Sequence, residues 1–82
     1  MEHFASIFSK KFNNILTAEK INATELANKA KITTVISYDY RSARAAPSGL
    51  SVIKIVKAFP QYTCYLLGLD PKTLPEQITF KD

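Results

Sequence analysis

The residues from Asn22 to Arg44 constrain the fold more than any other part of the chain, and they read NATELANKAKITTVISYDYRSAR. Asn22 is a strong helix N-cap, because its side-chain oxygen can accept from the orphan amides of a first turn. Glu25 stands three residues on and can return a bond to the Asn22 amide, which makes a capping box, with Ile21 before it as a hydrophobic staple. Leu26, Ala27 and Ala30 form the inner face of this helix, which ends near Lys29 or Ala30. Ala27 is small enough for another helix to approach closely. Lys31 then falls in a turn. A tight turn between helices often needs a positive φ, cheap for glycine and costing Lys about 1 kcal/mol. Ile32 returns to the core and Thr33 can cap a further helix, roughly Thr34 to Arg41. Val35, Ile36 and Tyr40 are its apolar members; Thr34, Ser37, Tyr38 and Arg41 are candidates for its outer face.

The flanking segments are helical by period. Phe4, Ile7, Phe8, Phe12, Ile15 and Leu16 recur at steps of three and four, an amphipathic first helix over roughly residues 3 to 18. Ser6, Ser9, Lys10, Asn13, Asn14 and Thr17 take its wet side, and the aromatic stripe reads as core. Ser42 to Gly49 is a loop of small residues with one arginine. Ser48 can cap a fourth helix in which Leu50, Ile53, Val56 and Phe59 form an apolar stripe opposite Lys54 and Lys57. Pro60 stops it. Gln61 to Leu67 makes a short fifth helix closed by Gly68. In the tail, Leu74, Ile78 and Phe80 fall on one face of an extended strand. A lone strand leaves its backbone hydrogen bonds unmade. A second copy of the tail, paired antiparallel across a twofold axis, would supply them; the other reading is a disordered tail. Residues 1–70 thus read as the folded domain and residues 71–82 as a dimerisation extension.

Composition narrows the function. Eighty-two residues make one small domain. The single cysteine, Cys64, excludes an internal disulfide framework, and a reducing cytosol is the simpler setting. No apolar run approaches the roughly 18 residues of a membrane span. The N-terminal stretch lacks the contiguous apolar region and basic lead of a signal peptide. Catalysis has little to stand on. His3 is the only histidine, Cys64 sits among Tyr62, Tyr65 and Leu66 with no base near it in sequence, and Gly49 and Gly68 are isolated. No Cys or His pair has metal-ligand spacing. The expectation is a protein with no enzymatic activity, no cofactor and no metal.

The net charge is +4, which favours a polyanionic partner mildly. Its distribution says more. Lys29, Lys31, Arg41, Arg44, Lys54 and Lys57 crowd the middle with only Asp39 among them, while Glu2, Glu19, Glu25, Asp70, Glu76 and Asp82 lie outside that stretch. A helix that reads the major groove needs side chains at its N-terminal end that reach base edges. Thr33, Thr34 and Ser37 can donate or accept hydrogen bonds there, and the methyls of Thr34 and Val35 can touch a thymine methyl. Tyr38 offers a ring and a hydroxyl to sugar or phosphate, or else packs. Lys31, Arg41 and Arg44 can pair with phosphates, which sets register and salt-dependent affinity; the plainer reading of each is a solvated surface charge.

These residues bear a family likeness. ELANKAKI-T, a helix, AR-AAPS, then a helix ending KAFPQYTCYLLG resembles the Cro/CI-type (lambda-repressor-like) helix-turn-helix domain. Leu26, Ala27, Ala30, Ile32, Thr33, Arg44, Pro47, Ser48, Leu50, Tyr65, Leu66 and Leu67 match its pattern, over about residues 7 to 69. The ending FPQYTCYLLG followed by LPEQI is most similar to the short immunity repressors of Peduovirus-type temperate phages. The resemblance implies an all-α, five-helix domain, a homodimer joined through a C-terminal strand with Leu74, Ile78 and Phe80 at the join, and binding to directly repeated operator half-sites in the cytoplasm and nucleoid of a bacterial host. Some positions depart from the family. Lys31 replaces the turn glycine, Ala43 the loop glycine, and Arg41 an acidic residue. Counted from Ala27, the apolar position in the middle of the reading helix falls on Ser37, with Ile36 one place earlier. Which of Thr34, Val35, Ser37 and Tyr38 face a groove therefore stays open.

The expected function is a sequence-specific, double-stranded DNA-binding transcriptional regulator, a phage or prophage repressor acting as a homodimer, with no membrane partner and no small-molecule substrate. A reading of another class is an antitoxin-type interaction module that neutralises a toxin and can autoregulate its promoter. A third is an activator or directionality factor on the same fold.

Overall fold

The computed structural model describes residues 3–81; Glu2 and Asp82, two of the acidic residues near the ends, lie outside them. The described chain is all-helical: α1 Phe4–Glu19, α2 Ala23–Ala30, α3 Thr34–Arg41, α4 Gly49–Ala58, a 3₁₀ turn Pro60–Tyr62, and α5 Thr63–Leu67. Among the described residues, no helix is long and apolar enough to cross a membrane.

Local chemistry sets the helix starts. The Asn22 side chain accepts the Glu25 amide at 2.8 Å while Glu25 Oε1 accepts the Asn22 amide at 3.2 Å, a complete capping box. Thr33 Oγ1 accepts the Ile36 amide and Ser48 Oγ the Ser51 amide. Gly68, at φ 71°, closes α5. Three other left-handed corners are built without glycine: Lys20 at φ 56°, Lys31 at φ 60° and Ala43 at φ 61°. A Cβ in that region crowds the following carbonyl, so Ala43→Gly is expected to raise stability by about 1 kcal/mol. A thermal melt should show the midpoint about 4–8 °C higher; no rise would mean that the corner is unstrained.

The core sits between α1, α2, α3 and α4. Phe8, Phe12, Ile15 and Leu16 of α1 are buried against Leu26, Ala30, Tyr40, Ile55 and Phe59. Tyr40 stands edge-on to both phenylalanines, with ring centroids 5.2 Å from Phe8 and 5.9 Å from Phe12. Such edge-to-face pairs add to plain area burial.

Several sequence expectations are corrected. Ser9 and Asn13, assigned to the wet side of α1, turn toward α3. Ser9 is buried, and both side chains donate to the Arg41 carbonyl, at 2.9 and 3.0 Å. They satisfy an orphan acceptor at the end of α3, which apolar side chains cannot do. Phe4 and Ile7, counted in the α1 stripe, are exposed. On α4 and at its C-cap the buried row is Ile55 and Phe59, with Val52 and Val56 beside them, while Leu50 and Ile53 are exposed. The helix is apolar around most of its circumference, so its period alone does not select the packed side.

The tail forms no strand among the described residues, and from residue 74 to 81 it makes no backbone–backbone hydrogen bond there. Leu74 is half-buried; Ile78 and Phe80 are exposed.

α5 is fixed to α1 by polar contacts. Lys11 Nζ donates to the Tyr65 carbonyl and Asn14 Nδ2 to the Tyr65 hydroxyl, both at 2.7 Å. Just before α5, the Tyr62 hydroxyl donates to Glu19 Oε2 at 2.7 Å. That bond raises the Tyr62 pKa above its ordinary value of 10.0, with burial and the carboxylate charge adding to it. A raised folded-state pKa favours the protonated phenol in the fold. The associated stability is therefore full below pH 10.0 and is lost as pH rises through the raised value. Tyr62→Phe should flatten the alkaline limb of a stability–pH profile from urea melts; an unchanged limb would show the bond is not maintained in solution.

Candidate nucleic-acid interface

α2 and α3 are eight-residue helices joined by Lys31, Ile32 and Thr33. Directional bonds hold α3 along its length. Thr33 caps its start. In its middle, Ser37 Oγ donates to the Ala23 carbonyl at 2.7 Å, inside the core. At its far end the Arg41 carbonyl is held by Ser9 and Asn13. Ser37 is 0% exposed, so it is removed from the candidate contact residues. Its short polar side chain occupies an inward position of the helix. The rotation of α3 left open by the sequence is thereby fixed with Ser37 and Tyr40 inward.

The outward side of α3 starts with Thr33 and Thr34, both exposed, and Val35, which is 73% exposed. Val35, an apolar member of the helix by type and a candidate thymine contact, faces solvent. Thr33 Oγ1 is engaged as the cap acceptor and keeps its proton free to donate. Tyr38 is at the margin of exposure. Its hydroxyl lies 3.1 Å from Thr24 Oγ1 of α2, and the Arg41 guanidinium stands 4.5 Å above its ring. The stacked cation is worth about 0.5–1 kcal/mol at such a site and holds Arg41 beside Tyr38. Arg44 is exposed in the loop after α3, with its amide donating to the Asp39 carbonyl at 2.8 Å. The residues Thr34, Val35, Tyr38 and Arg41 thus share one helix, with Arg44 just beyond it.

Thr24 is a member of this surface that sequence reasoning missed. Its place two residues after the Asn22 cap puts it in the first turn of α2, but only the crossing of α2 and α3 reveals its bond to Tyr38. Lys31, the other basic candidate, is exposed in the turn before α3. It sits at the other end of α2, about 10 Å along the helix axis from Thr24, and lines a pocket with Lys29, Lys54 and Lys57. Cys64 is half-buried and forms no disulfide. No family model, curated protein or solved structure matches the chain.

Proposed function

We propose that this protein is a sequence-specific, double-stranded DNA-binding transcriptional regulator, a repressor of the phage or prophage kind, acting as a homodimer on a lambda-repressor-like fold and without enzymatic activity. The observation that carries this reading is the rigidly held α3, whose outward residues Thr34, Val35 and Tyr38 lead into Arg41 and Arg44. The threonine hydroxyl and valine methyls suit base edges in a major groove, and the two guanidinium groups suit phosphates. The dimer occupies an operator and excludes polymerase. Footprinting on the DNA around its own gene tests the reading, with a protected site of repeated half-sites expected at physiological salt. No protection, with gel shifts equal for all sequences, would refute it.

Dimerisation is assigned to the tail, where Leu74, Ile78 and Phe80 pair as a strand with their counterparts in a second copy. Deleting residues 75–82 should shift sedimentation from dimer to monomer at micromolar concentrations. An unchanged sedimentation coefficient would place the join elsewhere.

The exposed Leu50 and Ile53 of α4 favour a second reading, an antitoxin-type module that covers them with a toxin. Co-purification of a protein partner together with an absent footprint would select it.

A further inference from the structure

A second concentration of positive charge stands apart from the surface around Tyr38. Lys29, Lys31, Lys54 and Lys57 line one pocket of about 410 Å³ together with Ala30 and Ala58, and its wall contains no acidic residue. Lys54 is half-buried and the other three are exposed. None of the four makes a side-chain hydrogen bond or ion pair among the described residues.

Helix-end neutralisation explains only part of this charge. α2 ends at Ala30 and α4 at Ala58, so two C-termini meet at the pocket. Each brings roughly half a negative charge, about −1 in all against four ammonium groups, which leaves a surplus near +3. Like charges gathered around a concavity repel unless an anion joins them. The volume falls in the range of small-ligand sites, roughly 300–1,000 Å³, and is generous for a single phosphate. The alanine methyls and the lysine stems give the wall an apolar part that can carry an organic body.

We propose that this pocket binds a small anion with two or more linked phosphates, of inorganic pyrophosphate or nucleoside diphosphate chemistry. Rotatable lysine ammonium groups bind phosphate as point charges and can follow a flexible chain of phosphates. The site shares only Lys31 with the candidate DNA contacts and uses neither Arg41, Arg44 nor the outward side of α3.

The test is an amide NMR titration of the full chain with pyrophosphate, with ADP and with sulfate, at matched ionic strength near 0.15 M, where exposed charges are screened beyond about 8 Å. Saturable shifts centred on Lys29, Lys31, Lys54 and Lys57 are expected with pyrophosphate and ADP. Sulfate should give no saturation over the same range. Additional shifts at Ala30 and Ala58 with ADP alone would identify the organic ligand as the better fit; equal patterns would identify the phosphate chain as the whole determinant. Lys54→Gln/Lys57→Gln and Lys29→Gln/Lys31→Gln, each removing two of four charges, should weaken binding about tenfold or more, with helical circular dichroism unchanged. Equal response to sulfate, unchanged binding in both double variants, or shifts at these lysines with duplex DNA but not pyrophosphate would each overturn the proposal.

Discussion

Tyr40→Ala is expected to lower the unfolding free energy by about 3–5 kcal/mol, the range for truncating a buried aromatic residue. Tyr40 is 1% exposed and joins α3 to α1 through two edge-to-face contacts, with Phe8 and with Phe12. Removing the ring leaves a cavity walled by both phenylalanines, and neither can close it without moving α1. A domain of this size has roughly 5 kcal/mol to lose, so the variant stands near its unfolding threshold at ordinary temperature. Urea melts followed by circular dichroism measure the loss. Tyr38→Ala is the control two residues away. It gives up a solvent-facing hydroxyl contact and a stacked arginine, and should cost about 1 kcal/mol. Similar losses at the two positions would mean that α3 is rotated from the orientation described.

The second large effect concerns DNA. Replacing Arg41 and Arg44 by alanine together should weaken binding to all sequences and lower the salt slope of log K by about 1.8, at roughly 0.9 per phosphate contact. Between 50 and 200 mM salt the double variant would then lose about tenfold less affinity than the parent. Arg44→Ala alone should account for about half of that change. Thr34→Ala and Val35→Ala should behave differently, altering preference among bases with the slope unchanged, because base-edge contacts release few counterions. Fluorescence anisotropy across a salt series separates the two classes. A slope unaffected by both arginine substitutions would remove them from the interface.

Features set by neighbouring residues were legible in the sequence. The Asn22–Glu25 box, the Thr33 and Ser48 caps and the Gly68 terminus depend on spacings of three or four residues, and each forms as read. The left-handed corner at Lys31 was legible from the shortness of the turn. What escaped depends on distant partners. Ser37 and Ser9 look like solvent residues by type, yet each is buried because a carbonyl waits for it, Ala23 in one case and Arg41 in the other. Thr24 was overlooked because Tyr38 meets it only through the crossing of two helices. Leu50 and Ile53 were misplaced because an almost wholly apolar helix offers more than one packing side. The tail's strand was read from the spacing of Leu74, Ile78 and Phe80, and its second copy from a need for hydrogen-bond partners that the single chain does not supply.

The three polar struts on α3, at Ser37, Ser9 and Asn13, separate two kinds of evolutionary change. Hydrogen bonds are directional, so a helix gripped by them resists rolling when its solvent-facing residues are exchanged. Residues 34, 35 and 38 can therefore drift toward new recognition targets with little debt to the core, as teeth are recut on a key whose shank is clamped. Changes at residues 9, 13 or 37 would instead tilt the whole blade. Chains that share this framework should vary most at the first group and diverge in target before they diverge in fold.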